Sequence, residues 1–239
     1  MLVEKSLSAV AGYLGANLSE RTTALSERPK YPAITISRQV GARATTIGKC
    51  LIRRFQSRED DSAPPWTLYG NELMQHVLRE SNLPEDLSRY FQEESSRSWT
   101  ETVEEIVGLH PSSYDINRRC HEMILNLCRL GHAVVIGRCG NVLAKDLPNT
   151  LHVRLVGSAK RRVAYLRQCL SMSEKEALAY AKREDQDRRN YAKENFNISN
   201  LDEPHLYDLV INTDRISNEF AARMIEEAAL CKASEPLLH

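Results

Sequence analysis

Three stretches of this sequence carry residues suited to phosphate chemistry. The first is Ser37-Arg38-Gln39-Val40-Gly41-Ala42-Arg43-Ala44-Thr45-Thr46. It follows a short apolar run and leads into an amphipathic one, so it reads as the loop between a strand and a helix. Such a loop gathers backbone N–H groups and a helix dipole at one spot, which suits an anion. Gly41 permits a turn with positive φ. Thr45 or Thr46 offers a hydroxyl to a bound Mg²⁺. A full phosphate loop reads G-x-x-x-x-G-K-[ST]. Here Arg38 and Arg43 stand at the glycine positions and Ala44 at the lysine position. Taken alone, the spacing describes a degenerate phosphate loop.

The second stretch is Gly137-Arg138-Cys139-Gly140. An arginine between glycines, directly after a buried strand, can lay its planar fork on a phosphate while the glycines let the backbone approach. The plainer alternative is a turn with a solvated arginine. The third stretch is Arg183-Glu184-Asp185-Gln186-Asp187-Arg188-Arg189. Alternating charges on a helix usually form a solvated face with i,i+4 pairs. Opposite a phosphate site, the same arginines would stabilise charge during phosphoryl transfer and exclude water.

The elements that must position these residues follow from periodicity. Strands are expected at Ala33–Ile36, Trp66–Tyr69, Ala133–Ile136, Thr150–Val156 and Tyr207–Asn212. A helix beginning at Thr45 or Thr46 carries Ile47, Leu51, Ile52 and Phe55. Asn71 can cap another, and residues 70–110 look like a helical insertion at the sheet edge. Pro111 opens a helix through Ile116, Cys120, Ile124 and Leu127 that Gly131 ends. Further helices are expected over Ala159–Leu170, from the capping box Ser173-x-x-Glu176 onward, and after Ser217. Residues 192–206 read as irregular. Short strands alternating with helical crossovers mean a parallel sheet covered on both faces, with ligands at the carboxyl ends of its strands. Ser37–Thr46, Tyr69–Asn71 and Gly137–Gly140 all lie just past such ends, and this coincidence points to a site.

Length and composition bound the reading. A chain of 239 residues can bury a large core as one domain with small insertions. Lys and Arg number 32 and so do Asp and Glu, giving a net charge of zero, which argues against extended nucleic-acid binding. No apolar run reaches the length of a membrane span, and the N-terminus lacks a signal-peptide layout. Six cysteines without a C-x-x-C pair fit free thiols in a reducing cytoplasm better than disulfides or a zinc site. Residues 1–30 hold an amphipathic helix, with Val3, Leu7, Val10, Leu14 and Leu18 on one side, and a polar linker. That helix could pack on its own domain or pair two copies as a homodimer. The main domain runs over 31–231.

The S-R-Q-V-G of 37–41 with Ile47-Gly48, the V-I-G-R-C-G of 135–140 and the Y-D-L-V-I-N-T-D of 207–214 together resemble the cytidylate kinase-like family. These are relatives of bacterial cytidylate kinase among the P-loop nucleoside monophosphate kinases. The resemblance spans about Ala33 to Ile225 and rests on the order and spacing of the motifs. It implies a P-loop NTPase-type three-layer α/β fold with a five-stranded parallel sheet, a nucleotide-binding helical insertion near 70–110 and a lid near 183–200. It implies ATP with Mg²⁺ at Ser37, Arg38, Gln39, Gly41, Arg43, Ala44, Thr45 and Thr46, the metal at Thr45 or Thr46. It implies a nucleoside monophosphate, cytidylate first, near Tyr69, Gly137, Arg138 and Asp185. Arg138 matches the position that grips the acceptor phosphate, and Arg183, Arg188 and Arg189 match the lid. The family loop usually reads S-R-Q-x-G-S-G-G, so Arg43 and Ala44 are this chain's departures. In the lid pattern R-D-x-x-D-x-x-R, Arg183 and Asp187 fit, Glu184 replaces Asp, and Asn190 stands at the last arginine's position. The implied activity is ATP-dependent phosphorylation of a nucleoside monophosphate. Two other readings use the same residues: a non-catalytic nucleotide- or anion-binding regulatory module, and a kinase for another small phosphoacceptor.

Overall fold

The computed structural model describes residues 31–59, 63–70, 73 and 113–234. The expected N-terminal helix, its proposed dimer contact and most of the 70–110 insertion lie outside these residues. Five strands form one parallel sheet among them: β1 (Ala33–Arg38), β2 (Thr67–Tyr69), β3 (Ala133–Ile136), β4 (Thr150–Val156) and β5 (Leu209–Asn212), in the order β2-β3-β1-β4-β5. β1 is central, with Ile36 in register with Ile136 of β3 and Val153 of β4.

Successive strand side chains point to opposite faces, and the core divides accordingly. Ile34 and Ile36 join Val134, Ile136, Val153 and Leu155 against α1 (Ala44–Gln56) and α6 (Asn218–Ser234), which supply Ile47, Leu51, Phe55 and Ile225. On the other face, Ala33, Ala133 and Val135 meet Cys120, Ile124 and Leu127 of α2 (Ser113–Leu130). The remaining helices are α3 (Gly140–Leu143), α4 (Ala159–Leu170) and α5 (Glu174–Phe196). Buried Glu226 joins α6 to α1 through Arg54 at 2.6 Å and to the turn after α1 through Arg58 at 3.4 Å.

Local signals set most helix ends. Ser173 and Glu176 form the expected reciprocal capping box on α5. Ser217 Oγ accepts the Phe220 N–H at 3.1 Å ahead of α6. Gly131 ends α2 at φ 81°, and an added Cβ there would lie 2.4 Å from the Tyr31 carbonyl oxygen.

Several boundaries differ from expectation. β1 continues through Ser37 and Arg38, because β4 pairs with both residues. α1 begins at Ala44 rather than at Thr45 or Thr46. Trp66 precedes its strand and stacks on Phe55, with ring centroids 3.7 Å apart. Residues 192–196, expected to be irregular, complete α5, because Ala192 is fully buried and Tyr191 nearly so. Tyr207 and Asp208 precede β5. Asp208 instead accepts the His152 N–H at 2.7 Å and pairs with Lys232 at 2.5 Å.

Candidate functional site

A cavity of about 340 Å³ opens at the carboxyl end of β1. Its floor is the loop Arg38–Thr45, and its walls come from Lys49 of α1, Leu68 of β2 and Gly70 just after it, Tyr165 of α4, and Tyr180 and Arg188 of α5. Among the described residues four cationic ones line it (Arg38, Arg43, Lys49 and Arg188), and no Asp or Glu does. The first-turn N–H groups of Ala44, Thr45 and Thr46 have no intrahelical partner by the geometry of a helix start. Cations, first-turn donors and a positive helix end converge on one anion site.

The loop holds its shape through contacts with distant parts of the chain. Gly41 sits at φ 78°, and a Cβ there would lie 2.7 Å from the Arg162 carbonyl oxygen. Arg43 caps α1 in the left-handed conformation, φ 63° and ψ 24°, which a residue bearing a Cβ adopts at a cost. Its guanidinium compensates by donating to the carbonyls of Thr213 and Ile216, the latter at 3.0 Å. Asp185 accepts the Val40 N–H at 2.8 Å and an Arg162 N–H at 2.7 Å. Arg162 also donates to the carbonyls of Val40 at 2.9 Å and Gly157 at 3.1 Å. The Gln39 side chain accepts the Gly157 N–H at 3.1 Å. Helix α5 is thereby fastened to the loop at its middle.

The residues expected at the site divide into those the fold gathers and those it does not. Arg38, Gln39, Gly41, Arg43, Ala44, Thr45 and Arg188 line the cavity. Thr46 does not; its hydroxyl lies 2.9 Å from that of Tyr165. Ser37 lies off the cavity and accepts from Arg154 at 2.8 Å and from Tyr207 at 3.3 Å. Tyr69 is buried beside Leu73 and Ile124, and burial pushes its phenol up to about 12. Gly137, at φ 86°, makes the turn after β3. Arg138 is 4% exposed and packs over the Tyr191 ring at 5.7 Å, outside the cavity wall. Arg183 turns outward, with its side chain 61% exposed and over the Tyr180 ring. Arg189 bonds to Gln186 at 2.8 Å. It borders a second hollow of about 20 Å³ that Arg38, Arg154, Asp185, Arg188 and Asp202 also line. Of the stretch expected as a lid, residues 183–196 form the second half of α5 and residues 197–200 follow it. Glu184, Asp187 and Arg188 are buried there, whereas Arg183, Gln186 and Arg189 are exposed, so only one side of this half is solvated.

Residues not anticipated from the sequence matter as much. Arg162 and Tyr165 look like ordinary members of a basic helix, and only their contacts with the loop distinguish them. Arg154 did carry a signal, being a charge within the apolar strand L-H-V-R-L-V. It is held by Ser37, by Asp202 at 2.7 Å and against the Tyr207 ring at 5.8 Å. Lys49 stands four residues after Thr45, on the same face of α1.

The cytidylate kinase-like family model matches residues 33–215. The chain belongs to this family. The nucleotide-kinase-type fold follows from that membership, and the described sheet and helices form it. Among solved structures, an uncharacterized protein from Eubacterium ventriosum is similar at 19% identity and TM-score 0.61, over 83% of this chain and 98% of that one. Shikimate kinase from Acinetobacter baumannii, solved with shikimate, is similar at 13% identity and TM-score 0.47, over 87% and 97%. A gluconokinase from Sinorhizobium meliloti is similar at 11% identity and TM-score 0.45, over 87% and 94%. No curated protein matches the chain. Among the described residues no helix is long and apolar enough to cross a membrane, and no group of three or more His, Cys, Asp or Glu is placed to hold a metal ion.

Proposed function

We propose that this protein transfers a phosphoryl group from ATP to a nucleoside monophosphate, cytidylate in the first instance. The observation that carries this reading is the cavity at the carboxyl end of β1, lined among the described residues by four cations and no carboxylate, in a chain of the cytidylate kinase-like family. ATP phosphates would lie along the N–H groups at the start of α1. Thr45 lines the cavity, whereas the Thr46 hydroxyl is engaged with Tyr165. Thr45 therefore fits Mg²⁺ as a single protein ligand, the rest of the shell coming from phosphate oxygens and water. Bound there, the ion would neutralise charge on the phosphates.

The chain's own contribution is position and charge. Arg38 and Arg188 both line the space beside the loop, where they can stabilise charge on the transferring group. Asp185 sets the height of α5 over the loop and so fixes Arg188, which it meets at 3.5 Å. Arg189 stands next to this pair. Arg138 and Arg183 keep their proposed parts, acceptor orientation and charge stabilisation, on the family likeness alone. Tyr165 and Tyr180 close the α4–α5 side and limit access of water.

A second reading is favoured by a specific observation. Ala44 stands where a phosphate loop carries lysine, and the Asp185 carboxylate already takes one loop N–H. Both would suit a module that binds an anionic nucleotide without transferring phosphate. Incubation with ATP, Mg²⁺ and each nucleoside monophosphate in turn separates the two. The kinase reading expects diphosphate formation, greatest with CMP and lost in Arg188→Ala. Nucleotide binding with no diphosphate from any acceptor refutes it in favour of the second reading.

A further inference from the structure

The start of α1 is short of one positive charge. In a phosphate loop the lysine at the helix start reaches inward to the terminal phosphates. Here that position is Ala44, which offers a methyl group. Arg43 cannot replace it, because two backbone carbonyls across the β5–α6 connection hold its guanidinium. Arg188 shares its charge with Asp185.

Lys49 differs from these. It lines the same cavity as Ala44 and Thr45, yet its position is exposed. Among the described residues it makes no ion pair or hydrogen bond through its ammonium. Side chains on a helix lean toward its N-terminus and cover the preceding turn. From position 49 a lysine therefore leans over Thr45, four residues before it, toward the loop. The four-carbon stem gives a mobile point charge that can settle on a phosphate oxygen.

We propose that Lys49 supplies, from the second turn of α1, the cation that the loop lacks at position 44, and binds the terminal phosphates of a nucleoside triphosphate. This rests on the reading of the cavity as a polyphosphate site, though not on turnover. The cation thereby stands five residues, about 1.4 helical turns, past the usual lysine position.

Calorimetric titration of the full chain with sodium tripolyphosphate in EDTA reads protein charge without metal. Lys49→Met is expected to weaken binding by about tenfold or more, the loss of one charged contact to phosphate. Lys49→Arg keeps the charge and is expected to stay within about threefold of wild type. The double variant A44K/K49M, with a cation restored at the loop itself, is expected to regain most of the affinity. Circular dichroism confirms that each variant is folded. Binding by K49M equal to that of wild type overturns the proposal, as does a wild type that binds no tripolyphosphate, or a double variant no better than K49M. Diphosphate formation from ATP and CMP, measured alongside, keeps the two readings apart. Lys49-dependent binding without turnover removes the kinase activity and leaves the role of Lys49 standing.

Discussion

Arg43 gives the sharpest test of how the loop is held. Its backbone lies at φ 63°, and its guanidinium donates to the carbonyls of Thr213 and Ile216. Left-handed backbone costs a residue with a Cβ about 1 kcal/mol. Hydrogen bonds from a charged donor contribute about 1.5 kcal/mol each at the low end, which suits a partly buried pair. Arg43→Gly removes both bonds, about 3 kcal/mol, and relieves about 1 kcal/mol of strain, for a net loss of about 2 kcal/mol. Arg43→Ala loses the bonds without relief, so we predict it to be about 1 kcal/mol less stable than the glycine variant. For a chain of this size 1 kcal/mol moves Tm by about 2–4 °C, so Arg43→Gly should melt about 4–8 °C below wild type and Arg43→Ala lower still. Urea denaturation followed by circular dichroism gives the free energies directly. A glycine variant at least as stable as wild type would show that the tether contributes nothing. Equal stability of the two variants would show that the left-handed backbone carries no strain.

Other consequences can be measured on the same footing. Asp185→Ala removes the acceptor for the Val40 N–H and the partner of Arg162, and should cost about 3 kcal/mol in urea denaturation; Asp185→Asn keeps an acceptor and should cost less. Gly41→Ala meets both a positive φ of 78° and the Arg162 carbonyl at 2.7 Å, so nucleotide affinity should fall together with Tm, and an unchanged affinity would deny the loop its role. Burial holds the His152 imidazole down to about 4, and burial followed by the nearby Arg138 charge does the same for His121. Both folded pKa values lie below the ordinary 6.5, so the unfolded chain binds more protons between these limits. Stability should therefore be full above pH 6.5 and decline toward pH 4, and a flat urea midpoint across that window would contradict the burial of both rings.

Much of this protein could be read before folding was considered. Strands and helices follow from two short periodicities, and helix ends from residues a few places away. Ser173 with Glu176, Gly131 and Ser217 are such local signals, and each does in the structure what its position implied. The strand-loop-helix at Ser37–Thr46 was equally legible, because its chemistry lies in consecutive residues. So was the family, whose motifs keep their order along the chain.

Only the tertiary structure decided which expected residues meet. It put β1 between β3 and β4. It bound the N–H of Val40 to Asp185, 145 residues away, and Arg43 to Thr213, 170 residues away. It drew Arg188 to the cavity wall while burying Arg138 against Tyr191 and turning Arg183 outward. Periodicity says that a residue lies on a helix, but its facing depends on what packs against that helix. For the same reason Lys49 carries no signal of its own in the sequence: its place beside Ala44 and Thr45 becomes visible once Leu68, Gly70 and α5 enclose the space in front of it. The sequence by itself determined the elements and the loop. The packing of α4, α5 and the β5–α6 connection around that loop decided which charges face it.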